Sequence, residues 1–410
     1  MAPARSPLAP AAVPAVPPIG GARFATGESG IRYKGRDDVL LALFDAGTTV
    51  AGVFTKSSTA AAPVAWCRKA LAGGQARAFI VNAGNANAFT GKAGMGAVDA
   101  TVGAAARALG CPRNRVFVAS TGVIGQRLKA ERIAAMIPGL AGAARTEAWD
   151  RAAAAIMTTD TFPKLATASA TIDGVPVTIN GTAKGSGMIA PDMATMIAFV
   201  ATDARLPADV LQACLARATE RSFNRTTVDS DTSTNDTLLA FATGAAGHAS
   251  VTRAADRRLA GFRAALEAVC LDLALQVVRD GEGAQKLIEI RVAGARSAAA
   301  ARRVAFGVAN SPLVKTAIAG ADANWGRVVM AVGKADITLD QRRIGVRIGG
   351  HVVATRGGPP KDYDETPVTA HMKGRSILIA IELGQGRAAT TVWTCDLTHG
   401  YIDINADYRS

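Results

Sequence analysis

The sequence has few of the residues that build metal centres and disulfide frameworks. Its 410 residues include four histidines and five cysteines, and neither the HExxH nor the CxxC spacing occurs. The widely separated cysteines argue against a structural zinc site and against a disulfide framework. They favour a reducing compartment, which we take to be the cytoplasm. The cysteines are Cys67, Cys111, Cys214, Cys270 and Cys395.

Long apolar runs and dense clusters of charge are also missing. No run of about 18 apolar residues occurs, so we expect no membrane span. With 49% hydrophobic and 19% charged residues, the composition is that of a globular protein long enough for two or more domains. The net charge of +13 comes from single Arg and Lys residues along Ala-rich segments. We therefore expect solvated helix faces and no nucleic-acid partner.

The order of strand-like and helix-like segments predicts an α/β protein of two domains. Residues 1–19 contain six prolines among alanines, which predicts a disordered tail. A catalytic domain is expected over 20–286, and a smaller α+β domain over 287–410, where strands with longer linkers dominate. Asp173-Gly174 between two strand-like runs predicts a hairpin. Pro176 predicts that the second of these strands lies at a sheet edge.

The central stretch 184–196 is the most informative part of the sequence. Its first half is rich in glycine, and an apolar, strand-like run follows Pro191. Taken alone, it is typical of a buried strand that contains a threonine. It also suits self-cleavage, because the Thr195 hydroxyl follows Ala194, whose small side chain leaves its carbonyl open to attack. A threonine freed as a new N-terminus needs no histidine, since its own α-amino group, with a pKa of roughly 7.7–8.0, can act as the base.

Three polar segments of the sequence are compared with known kinds of binding site. The loop 84–91 before Lys92 lacks the glycine spacing of a phosphate-binding P-loop. The polar run 226–237 lacks the ligand spacing and the closing glutamate of a calcium loop. At the end of a predicted strand, Ser120-Thr121-Gly122 fits either an ordinary turn or a set of donors for the oxyanion of an acyl transfer.

These motifs, above all 184–196, resemble the ornithine acetyltransferase family, and the resemblance runs from about Gly20 to Ser410. It implies a layered αββα sandwich of the N-terminal-nucleophile-like type, with a smaller C-terminal α+β domain. It also implies cleavage between Ala194 and Thr195, Thr195 as the nucleophile, and an oxyanion hole formed by Thr121 and Gly122. The implied substrate contacts are Thr158, Lys184, Thr195, Glu282, Asn405 and Ser410.

The implied reaction moves acetyl from N-acetylornithine to glutamate through an acetyl-enzyme, in arginine biosynthesis. It needs no metal or bound cofactor, and acetyl-coenzyme A is a second donor only if the enzyme is bifunctional. The implied mature protein has an α chain, 1–194, and a β chain, 195–410, associated as α2β2. Where many members carry His-Pro-Asn, this chain has Ala190-Pro191-Asp192, which bears on the rate of self-cleavage.

Two alternatives remain open on the sequence. One is an aminopeptidase or amidase of the same architecture, which would pass the acyl group from the same threonine to water. The other is a non-catalytic binding protein in which the central stretch is only a buried strand.

Overall fold

A computed structural model describes residues 4–190 and 196–406. The chain divides into two compact units. The first unit comprises Pro10–Asn224 and Asp231–Val277, and the second comprises Met1–Ala9, Arg225–Ser230 and Val278–Ser410. The boundaries drawn from the sequence stay predictions.

Residues 4–19, which the sequence assigns to a tail, form neither helix nor strand. Near the end of this segment, the Pro17 carbonyl accepts a hydrogen bond from the Asn180 side chain at 2.6 Å. Ile19 is fully buried. The last residues of this segment, from Pro17 to Ile19, are therefore packed within the first unit.

The first unit contains two sheets with helices. Its strands are β1 (Ala22–Gly27), β2 (Val39–Phe44), β3 (Thr49–Phe54), β4 (Ala78–Asn85), β5 (Val116–Val123), β6 (Lys164–Ile172), β7 (Val175–Lys184), β8 (Ile197–Thr202) and β9 (Thr237–Ala242). The helices that begin in it are α1 (Ala62–Ala70), α2 (Gly91–Ala108), α3 (Ala130–Ala143), α4 (Trp149–Ala155), α5 (Ala208–Arg221) and α6 (Ala260–Arg279).

The two sheets pack face to face between layers of helices. The first sheet has the strand order β1-β2-β4-β5, and the second has the order β3-β9-β8-β7-β6. Helices α1, α2 and α3 contact strands of the first sheet, and α5 contacts strands of the second. On α6, Val269 and Leu273 pack against Gly181 of the second sheet. This arrangement confirms the predicted layered αββα sandwich.

Aromatic rings fill the space between the sheets. Aromatic residues make up only 5% of the sequence, yet several of the buried ones meet here. Phe241 of the second sheet stacks on Phe44 with 4.1 Å between ring centroids, and it contacts Phe79 and Phe117 at 5.8 and 6.4 Å. All four rings are buried. A large buried ring contributes more apolar area than any other side chain, so this layer holds the sandwich together.

The predicted hairpin is confirmed, and the predicted edge is wrong. Asp173 and Gly174 both have positive φ, at 51° and 77°, as a two-residue hairpin turn requires. However, β7 lies between β8 and β6, so β6 is the edge strand. Pro176 is tolerated inside the sheet because β8 pairs with β7 only from Ile179 onwards. The missing N–H of Pro176 therefore costs no hydrogen bond to β8, because β8 does not extend as far as Pro176.

The second unit is built on one mixed sheet of order β12-β11-β13-β10-β14. Its first strand begins at Leu287. The strands are β10 (Leu287–Ala295), β11 (Gly345–Ile348), β12 (His351–Ala354), β13 (Ser376–Glu382) and β14 (Ala388–Cys395). The helices are α7 (Ala298–Ala309), α8 (Pro312–Ala319), α9 (Trp325–Gly333), α10 (Thr366–Met372) and α11 (His399–Ala406).

The five cysteines are all unpaired. Four of them are buried, and Cys111, which lies between α2 and β5, is only partly buried. Burial raises the pKa of the Cys67 thiol to about 12, and it does the same for Cys270. Over 4–190 and 196–406, no helix combines the length and the apolar character needed to cross a membrane.

Replacing Phe241 with Ala tests the role of the aromatic layer. We expect the free energy of unfolding to fall by about 3–5 kcal/mol, because a buried ring is lost and a cavity is left. Phe89→Ala is the matched control, since the Phe89 ring is 82% exposed, and it should change stability little. Chemical denaturation followed by fluorescence measures both. Equal losses in the two variants would contradict the assignment of the core.

Candidate active site

Three strands of the second sheet place their polar ends side by side. The antiparallel pairing of β7 with β8 sets Lys184 opposite Ile197, and the parallel pairing of β8 with β9 sets Ile197 beside Thr237. The sequence places Ala194 and Thr195 just before β8. Both of these, and Ser410, lie outside the described residues. The candidate site is therefore described through the residues around this end of the sheet.

Lys184 is the first predicted site residue at this end. Its side chain is buried, and its Nζ donates a hydrogen bond to the Thr121 hydroxyl at 3.2 Å. A hydroxyl that accepts from an ammonium group keeps its own proton as a donor. Lys184 thus brings a positive charge to Thr121 and leaves the Thr121 proton for a third group. The arrangement suits a donor to a developing oxyanion.

Thr121 and Gly122 lie inside β5, near its end, so the ordinary turn, one of the two alternatives that the sequence leaves open, is wrong. Both continue the parallel pairing of β5 with β4, where Gly122 is opposite Gly84. Gly122 has a φ of 131°, and a Cβ there would lie 2.2 Å from the Gly84 carbonyl carbon. Only glycine fits such a close approach of two backbones. The register of the β4–β5 pairing shifts at Asn85, the residue after Gly84. The regular ladder of hydrogen bonds between these two strands therefore ends at Gly84 and Gly122.

Asp160 organises the residues around Lys184. Its Oδ1 accepts hydrogen bonds from Lys164 Nζ at 2.6 Å and from the Gly185 N–H at 2.7 Å. Its Oδ2 accepts from the Thr158 N–H at 3.0 Å and lies 3.9 Å from Lys184 Nζ. One carboxylate thereby fixes a lysine of β6, the end of β7 and the loop that carries Thr158.

This carboxylate stays ionised although it is buried. Burial alone would raise the pKa of Asp160, but the charges of Lys164 and Lys184 and the hydrogen bonds outweigh it and lower the pKa. The side chains of Asp160 and Lys164 are both fully shielded from solvent. Separating the pair would leave a buried charge uncompensated, which is strongly unfavourable.

Thr158 lies in the loop between α4 and β6, at residues 156–163. The Asp160 carboxylate accepts the Thr158 N–H, so the loop is held to this buried side chain. In the same loop, the Thr159 hydroxyl lies 2.6 Å from the Ser186 hydroxyl of the glycine-rich segment. Thr158 is therefore brought to Lys184 and Thr121 through Asp160.

Asn235 connects the two sheets at this end and Asp236 holds the start of β8, and the sequence singles out neither residue. The Asn235 side-chain amide donates to the Ala86 carbonyl at 2.6 Å and to the Ser120 carbonyl at 2.8 Å. Asp236 Oδ1 accepts from the Met196 N–H at 3.1 Å. Burial raises the pKa of Asp236 well above its usual range, so its neutral form is favoured. The polar run 226–237 was the available signal, but its composition did not single out these two residues.

In the second unit, Glu282 and Asn405 contact each other. The Asn405 amide donates to Glu282 Oε2 at 2.7 Å, and Glu282 is buried. Next to it, Gly283 has a φ of 73°, and a Cβ there would lie 2.6 Å from the Tyr401 nitrogen of α11. The Thr398 hydroxyl also donates to the Gly283 carbonyl at 2.7 Å. The last helix therefore packs on the turn that carries Glu282.

Within residues 4–190 and 196–406, no group of three or more His, Cys, Asp or Glu side chains is placed to hold an ion. The charged groups of the first-unit site are instead paired with each other.

Comparison with known proteins gives matches over nearly the whole chain. The model of the ArgJ family matches residues 23–410. A curated relative from Brucella suis biovar 1 (strain 1330), named arginine biosynthesis bifunctional protein ArgJ, is 55% identical over 408 residues and covers 99% of both chains.

Two solved structures match about half of the chain. One is the arginine biosynthesis bifunctional protein argJ from Bacillus halodurans, 41% identical with a TM-score of 0.48, over 50% of this chain and 95% of that one. The other is ornithine acetyltransferase complexed with ornithine from Mycobacterium tuberculosis, 32% identical with a TM-score of 0.37, over 47% and 96%.

Replacing Asp160 with Asn tests the buried ion pair. We expect the free energy of unfolding to fall by about 3–5 kcal/mol, because Lys164 loses its counter-charge inside the protein. The matched control is Asp99→Asn, whose partner Arg113 is half exposed, and it should leave stability almost unchanged. Urea denaturation measures both. A loss no larger than that of the control would contradict the assigned ion pair.

The same variant gives a pH dependence. Because the pKa of Asp160 is lower in the folded protein than its ordinary 3.8, its stabilisation is complete above that value. The stabilisation is lost as the pH falls through the lowered folded pKa. In the Asp160→Asn variant this part of the acid sensitivity should be missing, so the stability curves of the two proteins should converge as the pH falls below about 4.

Proposed function

We propose that this chain, which belongs to the ArgJ family and is an acyltransferase, moves an acetyl group from N-acetylornithine to glutamate in arginine biosynthesis. The observation that carries the proposal is the hydrogen bond from Lys184 to the Thr121 hydroxyl, at the end of the sheet where β8 begins. Lys184 and Thr121 are two buried hydrogen-bond donors, one of them charged. Lys184 pairs with Ile197 at the start of β8, two residues after Thr195 in sequence. The curated relatives' name, arginine biosynthesis bifunctional protein, agrees with this pathway.

The first proposed step is self-cleavage. The Thr195 hydroxyl attacks the Ala194 carbonyl, the bond shifts from nitrogen to oxygen, and water hydrolyses the resulting ester. Thr195 then carries a free α-amino group, which can take a proton from its own hydroxyl. The products are the chains 1–194 and 195–410, which we propose remain associated as α2β2.

The second step is formation of the acetyl-enzyme. Thr195 Oγ attacks the acetyl carbonyl of N-acetylornithine, and its proton passes to the α-amine. The oxyanion of the tetrahedral intermediate accepts hydrogen bonds from the Thr121 hydroxyl and the Gly122 N–H. Its collapse breaks the C–N bond, and the proton moves from the α-amine to the departing nitrogen of ornithine.

The third step reverses the second with another amine. Glutamate enters, its amino group attacks the Thr195 ester, and the same donors stabilise the second oxyanion. The C–O bond breaks, the Thr195 hydroxyl regains a proton, and N-acetylglutamate leaves. Because one product departs before the second substrate reacts, the kinetics should be ping-pong.

Fixed charges support the placing of the oxyanion at Thr121. The Lys184 ammonium is buried, so its field acts at short range in a medium of low dielectric constant. Polarising the Thr121 hydroxyl makes its proton a stronger donor. We propose that Lys184 also pairs with a substrate carboxylate, and that Thr158, held by Asp160, contacts the same substrate.

The remaining contacts of the proposal concern the amino-acid part of the substrates. A buried carboxylate such as Glu282 suits an ammonium group, and Asn405 fixes its orientation. We propose that both, with Ser410, contact ornithine and glutamate. We also propose acetyl-coenzyme A as a second acetyl donor, which would make the enzyme bifunctional. Unpaired cysteines suit our assignment to the cytoplasm.

Replacing Thr195 with Ala tests the nucleophile. We expect a single uncleaved chain and no acetyl transfer, because the attacking hydroxyl is gone. Thr202→Ala, at the other end of β8, is the matched control and should still yield two chains. Mass spectrometry of the purified proteins measures the chain masses. Cleavage at the same peptide bond in Thr195→Ala would overturn the assignment.

The acyl acceptor is tested by incubating the enzyme with N-acetylornithine, with and without glutamate. We expect N-acetylglutamate to form only with glutamate, and little acetate to form without it. Chromatography of the products measures both. Equal release of acetate in the two reactions would identify a hydrolase of the same architecture.

A further inference from the structure

The residues Asn235 and Asp236 contact both strands that the proposed reaction depends on. They lie immediately before β9 and are both buried, at 4% and 0% exposure. Asn235 reaches the first sheet and Asp236 reaches the second. Two neighbouring residues thus touch the strand of the proposed oxyanion donors and Met196, the residue just before β8.

Asn235 fixes the end of the first sheet. A side-chain amide has two hydrogens to donate, and Asn235 directs them at the carbonyls of Ser120 and Ala86. Ser120 directly precedes Thr121, so the peptide that leads to the oxyanion donor is held. The Ser120 hydroxyl in turn donates to Asn82 Oδ1 at 2.6 Å, which extends the buried network into β4.

Asp236 and its neighbour Thr237 fix the backbone at the start of β8. Asp236 Oδ1 accepts from the Met196 N–H, and the Thr237 N–H donates to the Met196 carbonyl at 3.1 Å. The Met196 N–H belongs to the peptide bond that joins it to Thr195. On the other side, the Asp236 carbonyl accepts from the Thr55 N–H at 3.0 Å, so Asp236 is itself held.

We propose that Asn235 and Asp236 are positioning residues that set the spacing between the acetyl-bearing hydroxyl and its oxyanion donors. The proposal rests on the function proposed above. Met196, which follows the proposed nucleophile in sequence, leads into β8 of the second sheet, whereas the proposed donors lie in β5 of the first sheet, so these two strands do not share one ladder of backbone hydrogen bonds. A displacement of about 1 Å can cost an enzyme about 100-fold in rate. A bridge of short hydrogen bonds at this end prevents such a displacement.

The chemistry of the two side chains defines the variants. Asn235→Asp keeps the shape but cannot donate to the two carbonyls. Asp236→Ala removes the acceptor, whereas Asp236→Asn keeps a carbonyl oxygen for the Met196 N–H. Asn180→Asp is the matched control, because Asn180 is also buried and donates to a carbonyl, that of Pro17. It lies four residues from Lys184 along β7, about 13 Å away.

The experiment measures kcat per active site, with the number of sites taken from acetylated Thr195 peptide in a single turnover with N-acetylornithine. We expect Asn235→Asp and Asp236→Ala to lose about 100-fold in kcat with KM within a few fold. Asp236→Asn should recover most of the loss. Asn180→Asp should lower the melting temperature without lowering kcat per site.

Each contrary outcome has one meaning. If Asn235→Asp and Asp236→Ala lower only the melting temperature, as the control does, the two residues are structural and the inference is wrong. If Asp236→Asn is as slow as Asp236→Ala, the acceptor role is wrong. If Asn235→Asp does not accumulate as folded protein, Asn235→Ser is measured in its place and judged in the same way.

The wild-type enzyme separates this inference from the proposed function. If wild-type protein forms no acetylated Thr195 peptide, the proposed function fails. If it does form the peptide and the variants match it in kcat, only the positioning role fails.

Discussion

A buried carboxylate with two lysines around it is the constraint on which the site depends. Asp160 lies against Lys164 at 2.6 Å and near Lys184 at 3.9 Å, all shielded from water. An unpaired charge at such depth costs several kcal/mol, so the partners cannot drift apart. The Thr158 and Gly185 N–H groups bind the same carboxylate. A loop, a strand end and a glycine-rich segment therefore share one anchor.

The sandwich supplies the rigid frame for that anchor. Its middle is largely apolar and aromatic, and the polar groups of the candidate site lie at one end of the strands. There the side chains of Asn235 and Lys184 reach from the second sheet to Ser120 and Thr121 of the first, and Asp236 holds the start of β8. Apolar packing resists separation of the sheets, while the buried hydrogen bonds fix their relative register, because each unmet donor or acceptor would carry its own penalty. The sandwich thus owes its stability to apolar packing, and it owes the alignment of its two sheets to buried hydrogen bonds.

The sequence predicts what is local and misses what is long-range. The hairpin at Asp173 follows from turn chemistry that two adjacent residues decide, and the layered fold follows from a family resemblance. Pro176 was assigned to an edge because nothing in the sequence shows how far β8 extends. Asn235 bonds Ser120 across 115 positions, and no periodicity reveals such a partner. Asp160 reaches Lys184 only because the β6–β7 hairpin returns the chain to it.

The uneven burial of the cysteines makes this chain convenient for spectroscopy. Four thiols are enclosed in the protein, and the high pKa of Cys67 and of Cys270 keeps them from forming the reactive thiolate. Cys111, partly open to solvent just ahead of β5, is the natural point of attachment for a maleimide dye. Its emission would report on the strand that carries Thr121 without any engineered residue.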